Sequence, residues 1–192
     1  MPRRRALHTG KIRGFQIPIT HRLVSKQKRT NLVWVDLEMT GLDPKTCTIL
    51  EIGVIVTDGH LNTVAEGPFI AIHHAEKVLK SMEAWSKYHH RKSGLTETCR
   101  ESKISLKKAE SLILDFVKTH CLPKSAPLCG NTIWQDRRFL VKYMPKLESY
   151  LHYRVIDVSS IKELVGHWYP VDHKMPRLKH QNHRVEADIR SH

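Results

Sequence analysis

The chain has 192 residues, which suits one domain with a sizeable core better than two domains. No apolar run approaches the ~20 residues of a membrane span, so a soluble protein with no membrane partner is expected. Of the net charge of +13, most sits in residues 1–30, which hold nine Lys/Arg and no acid; the body is only mildly basic, and the high pI by itself is weak grounds for a nucleic-acid partner.

Residues 1–30 are read as a basic N-terminal tail. Being Arg-rich and acid-free, they have features of a mitochondrial presequence, and no apolar h-region follows that would make a secretory signal. Gly14 and Pro18 interrupt the helix such a leader prefers. A disordered basic arm, or a nuclear or RNA-contacting patch, is the competing reading. Mitochondrion is therefore the expected location, with cytoplasm or nucleus as alternatives. The four cysteines, Cys47, Cys99, Cys121 and Cys129, form no CxxC pair, so structural thiols in a reducing compartment are expected rather than zinc or redox chemistry.

The folded domain is expected over 31–192. NLVWVDLE reads as a first strand and TILEIGVIVTD as a second, closed by the turn pair Asp58-Gly59. LNTVAEGPFIAIHH reads as a third, with a bulge or bend at Gly67-Pro68. Short connections make these three an antiparallel meander. AEKVLKSMEAWSKYHH then reads as one helix, with Val78, Met82 and Trp85 at helical spacing. Ser105 caps LKKAESLILDFVKTH, whose apolar stripe is Leu112, Phe116 and Val117. PLCGN reads as a short buried strand ending at Gly130, DRRFLVKYM as a helix stopping before Pro145, YRVIDV as a strand and SSIKELVGHWY as a Ser-capped helix. A polar segment follows, and HRVEADIRSH opens a last helix. The order predicts an α/β domain: a mixed sheet with its first three strands antiparallel, flanked by helices.

Asp36 and Glu38 stand two apart on the first strand, so both carboxylates face one side while Val33, Val35 and Leu37 face the other. Two acids together in an apolar strand are costly unless a cation compensates, and oxygen-ligated Mg²⁺ or Mn²⁺ would do so. For a lone DxE, a strand end simply emerging into water is the favoured explanation, since the pattern is common by chance. Asp136 opens a helix directly after a strand, where α/β sheets place functional groups, though a helix-start Asp also offsets the macrodipole. Asp188 lies between Val185 and Ile189 in the last helix, and His183 stands five residues before it.

VWVDLEMTGLD, LCGNTIWQDRRFLVKYMP, HYRVIDVSSIKEL and HRVEADIRS closely resemble the oligoribonucleases, DEDDh exonucleases of the ribonuclease H-like superfamily, over roughly residues 31–191. The resemblance implies four acidic metal ligands, Asp36, Glu38, Asp136 and Asp188, for two divalent cations, Mg²⁺ or Mn²⁺, with His183 as general base. It implies 3′→5′ hydrolysis of very short RNA oligonucleotides to 5′-mononucleotides by a homodimer. Two divalent ions ~3.5–4 Å apart can activate water and stabilise a leaving oxygen, and a histidine with pKa near ~6.5 can take the water's proton. The family's base-gripping positions match Leu42 and Trp85, with His90 nearby; core packing beside Met82 is the alternative for Trp85. Tyr153 and Arg154 match positions that hold the terminal 5′ phosphate across the dimer, with Ser159 and Lys162 assisting. Two departures stand out. Trp134 replaces a smaller or more polar residue. About nine residues of the closing helix are present where the family's helix continues. The second departure suggests an exonuclease domain lacking the end of its last helix. A non-catalytic RNA- or partner-binding relative is therefore the alternative function.

Overall fold

The computed structural model describes residue 28 and residues 30–169. Most of the basic tail, His183, Asp188 and the expected closing helix lie outside the described residues.

The sheet has five strands: β1 (Leu32–Met39), β2 (Ile49–Thr57), β3 (Thr63–Ala71), β4 (Leu128–Gly130) and β5 (Val155–Asp157), in the order β3-β2-β1-β4-β5. The first three pair antiparallel, as a meander with short links should, and β4 and β5 add in parallel after helical crossovers. The sheet is therefore mixed, as the strand and helix order predicted. Every residue of β2 is buried, which requires cover on both sheet faces. On one face Val33, Val35 and Leu37 of β1 join Ile52, Val54 and Val56 in the main core, together with Ile113, Val117, Phe139 and Leu140 from helices. On the other, Leu50 packs with Leu79, Met82, Leu95 and Cys99. Near the bend expected in β3, Gly67 takes φ +76° and the ladder with β2 shifts between Gly53 and Ile55.

The helices depart from expectation in four places. The long helix over 75–90 is two, α1 (Glu76–Lys80) and α2 (Ala84–Lys92), with α3 (Leu95–Glu101) following. The break comes where Glu83 turns extended (φ −56°, ψ 147°) and its N–H donates to the Thr40 carbonyl at 2.9 Å. A tertiary hydrogen bond thereby overrides helical periodicity. The break turns Met82 inward and Trp85 outward. In α4 (Leu106–His120) the Ser105 cap is as expected, its hydroxyl accepting from Lys108 N–H at 3.3 Å. The buried stripe, however, is Ala109, Ile113, Leu114 and Val117; Leu112 and Phe116 only flank it. The next helix, α5 (Ile133–Tyr143), starts three residues before Asp136, and Pro145 opens a further helix, α6 (Pro145–Tyr150), where its missing N–H costs nothing. Glu110 holds that start: its buried carboxylate accepts from Lys146 and Leu147 N–H at 2.7 and 3.3 Å. Finally, α7 (Val158–Trp168) is capped by Asp157 rather than by a serine. All four cysteines are buried and free. No described helix is long and apolar enough to cross a membrane.

Candidate active site

The alternation of β1 puts Asp36 and Glu38 on the face opposite the main core, both half-buried. The antiparallel register sets Gly53 across from Asp36 and buried Glu51 across from Glu38. Gly53 brings no side chain to that face beside Asp36. The ladder slips between Glu38 and Met39, which frees the Met39 carbonyl region for a cross-contact. His90 of α2 makes it: Nε2 donates to the Met39 carbonyl at 2.9 Å, and Nδ1 stands 3.7 Å from Glu38 Oε2. A carbonyl only accepts, so Nε2 carries the hydrogen. His90 is 1 % exposed and faces Glu38 rather than open solvent.

Asp136 completes the acidic face from a different direction. Gly130 ends β4 pressed against β1: an added Cβ would meet the Val35 carbonyl oxygen and Ile133 Cδ1 at 2.8 Å. The chain then turns through Thr132 in the left-handed region (φ 54°) into α5. That close approach lays Asp136 against β1, where its Oδ1 accepts the Leu37 N–H at 3.0 Å. Leu37 lies between the two strand acids, so all three carboxyl-bearing residues meet at one stretch of backbone. Asp136 is only 6 % exposed, and burial pushes its carboxyl up to about 7. The N–H donors of Leu37 and of Asp136 itself pull it down, and the charge of Asp157 pushes it further up.

Oxygen donors of this kind suit hard divalent cations, and a half-protonated buried carboxyl is a group that a cation would relieve. Among the described residues, no three His, Cys, Asp or Glu side chains close into a cluster that could hold a metal. Asp36, Glu38 and Asp136 supply the oxygen-donor type such a cation takes, though their side chains do not close around one site among the described residues.

Around these acids, Leu42 (65 % exposed) and Trp85 (61 %) both present apolar surface to solvent, so Trp85 is not a core residue. Trp85 packs against His89 with the rings tilted by 35° and 4.1 Å between centroids. The Leu42 loop is tied down twice: Gln135 Nε2 donates to its carbonyl at 2.5 Å, and its N–H reaches Glu83 Oε1 at 3.4 Å. Trp134, in the first turn of α5, lies on the surface with the Arg138 guanidinium 5.9 Å from its ring centroid. Tyr153 (69 % exposed) and Arg154 share the loop before β5, with Arg154 Nε donating to the Tyr153 hydroxyl at 3.1 Å. Ser159 donates its hydroxyl to Asp157 Oδ1 at 2.6 Å, and Lys162 Nζ reaches Asn131 Oδ1 at 3.2 Å.

Two acids in this region escaped the sequence reading. Asp157 Oδ1 accepts from the N–H groups of Thr132 and Ser159, both at 2.9 Å, and so fastens the turn before α5 to the start of α7. Its signal was an acid at a strand end directly before a helix, an N-cap pattern hidden by the two serines that follow. Glu51 lay in an apolar run and only the strand register sets it opposite Glu38.

A family model described as Exonuclease matches residues 33–191. The oligoribonuclease of Pseudomonas savastanoi pv. phaseolicola is 48% identical over 164 residues, covering 85% of this chain and 90% of that protein. That of Dichelobacter nodosus is 50% identical over 163 residues, covering 85% and 89%. Among solved structures, exonuclease I from Methylocaldum szegediense matches with a TM-score of 0.60 at 19% identity, and E. coli exonuclease I with an oligonucleotide at 0.63 and 16%. Those two likenesses concern the fold; they cover 84% of this chain, which spans only 38% and 39% of those longer proteins. By fold, by family model and by relatives near half identity, the chain belongs to the oligoribonuclease family of exonucleases, which are nuclease enzymes.

Proposed function

We propose that this protein is a metal-dependent 3′→5′ exoribonuclease that degrades short oligoribonucleotides to 5′-mononucleotides. The observation that carries the proposal is the Asp136 carboxylate seated on the Leu37 amide, between Asp36 and Glu38. Asp36, Glu38 and Asp136, joined by Asp188, would hold two divalent cations, Mg²⁺ or Mn²⁺. Such ions, when bound, lower the pKa of water and neutralise charge on a leaving oxygen. His183 takes the proton of the attacking water. Leu42 and Trp85 grip the terminal base, a contact open to any sequence because every base has a π face. His90 steadies Glu38 from beneath. Arg154 and Tyr153 receive the 5′ phosphate across the dimer, assisted by Ser159 and Lys162, and a site closed at that end would exclude long chains. The likeness to oligoribonucleases and the apolar, exposed Leu42 and Trp85 support this reading.

A homodimer belongs to the same proposal. Exposed Tyr153, Ile161, Leu164 and Trp168 on the β5–α7 side support it, since such apolar surface is what a second copy would cover. The basic, acid-free residues 1–30 support a mitochondrial location, tested by fusing them to a fluorescent protein.

The deciding experiment incubates the purified chain with end-labelled RNA dinucleotides and Mn²⁺ or Mg²⁺. Release of 5′-mononucleotides that stops with chelator supports the proposal. Intact dinucleotides beside an active longer relative would sink it and favour a non-catalytic RNA-binding role.

A further inference from the structure

One glutamate touches the Leu42 loop at three points. The loop is closed at its base, where the Thr40 N–H donates to the Thr48 carbonyl at 3.0 Å and the Thr48 N–H to the Thr40 hydroxyl at 2.9 Å. From the start of α2, the Glu83 N–H donates to the Thr40 carbonyl at 2.9 Å. Glu83 Oε1 accepts from the Leu42 N–H at 3.4 Å and from Cys47 Sγ at 3.5 Å. Contacts on both arms of the loop and beside Leu42 restrain its tilt as well as its position. Gly41 makes room for them: it is buried, and a Cβ there would overlap the Glu83 carboxyl carbon and Oε1. Gly41 does not take a positive φ, so space for Glu83 rather than backbone freedom is what asks for a glycine.

The same residue starts α2. Its carbonyl accepts the Lys87 N–H at 2.8 Å, closing the first turn, and Trp85 stands two residues on. Towards the other end of the helix, His90 donates to the Met39 carbonyl at 2.9 Å, so α2 is pinned at two points to residues 39–40. Trp85 lies between those pins. Leu42 and Trp85 therefore come from separate segments, and Glu83 joins them through both its backbone and its side chain. The loop is also held by Gln135, Lys142 and Tyr143, but these belong to α5 and not to the helix that carries Trp85.

We propose that Glu83 is a positioning residue: by clasping the Leu42 loop to α2, it sets the gap between Leu42 and Trp85 that admits the substrate's terminal base. The proposal rests on the reading of Leu42 and Trp85 as the base grip. Glu83, Leu42 and Trp85 are joined within one chain, so the clasp does not depend on a second copy. Glu83 acts through the two grip residues, its carboxylate being committed to Leu42 and Cys47. It is exposed, so water competes for each bond and the expected effect is several-fold rather than a loss of activity.

The test uses the full chain with Mn²⁺ and compares wild type with Glu83→Ala, Glu83→Gln, Gly41→Ala and the double variant Gly41→Ala/Glu83→Ala. Two substrates are needed: an RNA dinucleotide, and its analogue whose 3′ sugar carries no base. Glu83→Ala is expected to raise KM for the dinucleotide about fivefold with kcat within about twofold, the size of one net hydrogen bond, and to leave the abasic analogue within about twofold of wild type. Glu83→Gln keeps an acceptor oxygen and should retain most of the wild-type KM; a glutamine as poor as alanine overturns the proposal. Gly41→Ala, whose methyl expels the carboxylate, should match Glu83→Ala, and the double variant should be no worse than either single one. Effects that multiply in the double variant would mean that the two residues act separately, and would overturn the clasp. If Glu83→Ala does not fold, Gly41→Ala and Glu83→Gln carry the test. Equal losses on both substrates would make Glu83 an ordinary brace and overturn the proposal. A wild type that favours the base-bearing substrate, with variants that favour it equally, overturns the role of Glu83 alone. A wild type indifferent to the base, or one that neither cleaves nor binds the dinucleotide, overturns the base-grip reading itself.

Discussion

The two faces of β1 differ in what they are for. Val33, Val35 and Leu37 are sealed in the main core, and Asp36 and Glu38, one residue out of step, lie half-buried on the other face. Eight residues of backbone therefore serve both rigidity and chemistry. The apolar set fixes the register, because a slip by one residue would send the acids into the core and the valines into water. The acids are thereby held by residues that have no chemical role. This division makes separable predictions: one face governs turnover and the other governs stability.

The largest effect is expected from Asp36→Asn, which removes one oxygen-donor carboxylate. Turnover of an RNA dinucleotide should fall roughly a thousandfold or more, several kcal/mol of transition-state stabilisation. The melting temperature should hold or rise, since one of several repelling acids is gone. Unchanged turnover would remove Asp36 from the metal set. Leu37→Ala tests the opposite face: unfolding should cost about 2–5 kcal/mol less, read by denaturant titration. Were Leu37→Ala as stable as wild type, the sealed face would not be what anchors the strand.

Asp136 joins the two faces, and its prediction is a pH profile. Burial raises its folded carboxyl to about 7 from an ordinary 3.8. A raised folded value means the group favours folding fully below about pH 4, and this contribution is lost as pH rises through about 7. In metal-free protein the loss amounts to up to roughly 4 kcal/mol, at about 1.4 kcal/mol per unit of pKa. Asp136→Asn should flatten that part of the stability profile, and a profile that stays steep would assign the slope to another group. The smallest effect is expected at Trp85. Because the helix break leaves it exposed, Trp85→Ala should leave stability within about 0.5 kcal/mol. Dinucleotide affinity should weaken by about 1–3 kcal/mol, the worth of one stacked base. Loss of stability instead would return Trp85 to a packing role.

Legibility followed the range of the forces involved. The sheet was readable because burial of β1 and β2 writes itself into runs of Val, Ile and Leu, and because short turns force antiparallel neighbours. The acids of β1 were readable for the same reason, since polar residues inside such a run are conspicuous. The split between α1 and α2 was not, because its cause is a backbone hydrogen bond from Glu83 to Thr40, 43 residues apart in sequence. Periodicity sees only near neighbours, and so it placed Met82 and Trp85 on one stripe. Asp157 was hidden by a local ambiguity: Asp and Ser both cap helices, and only the structure shows which side chain accepts. The apolar stripe of α4 was misjudged by a rotation, since Leu112, Phe116 and Val117 cannot all face one way and Ala109 and Ile113 are the deeper pair.

Gly130 carries a consequence for how this site could fail. With the Val35 carbonyl oxygen and Ile133 Cδ1 each 2.8 Å from where a methyl would stand, the slot between β4 and β1 is thinner than an alanine. It works as a shim gauge: the width of that gap decides whether Asp136 reaches the Leu37 amide. A change at Gly130 would touch no acid and no substrate, yet it would wedge the helix off the strand, and a fault of clearance would be recorded in assays as a fault of chemistry.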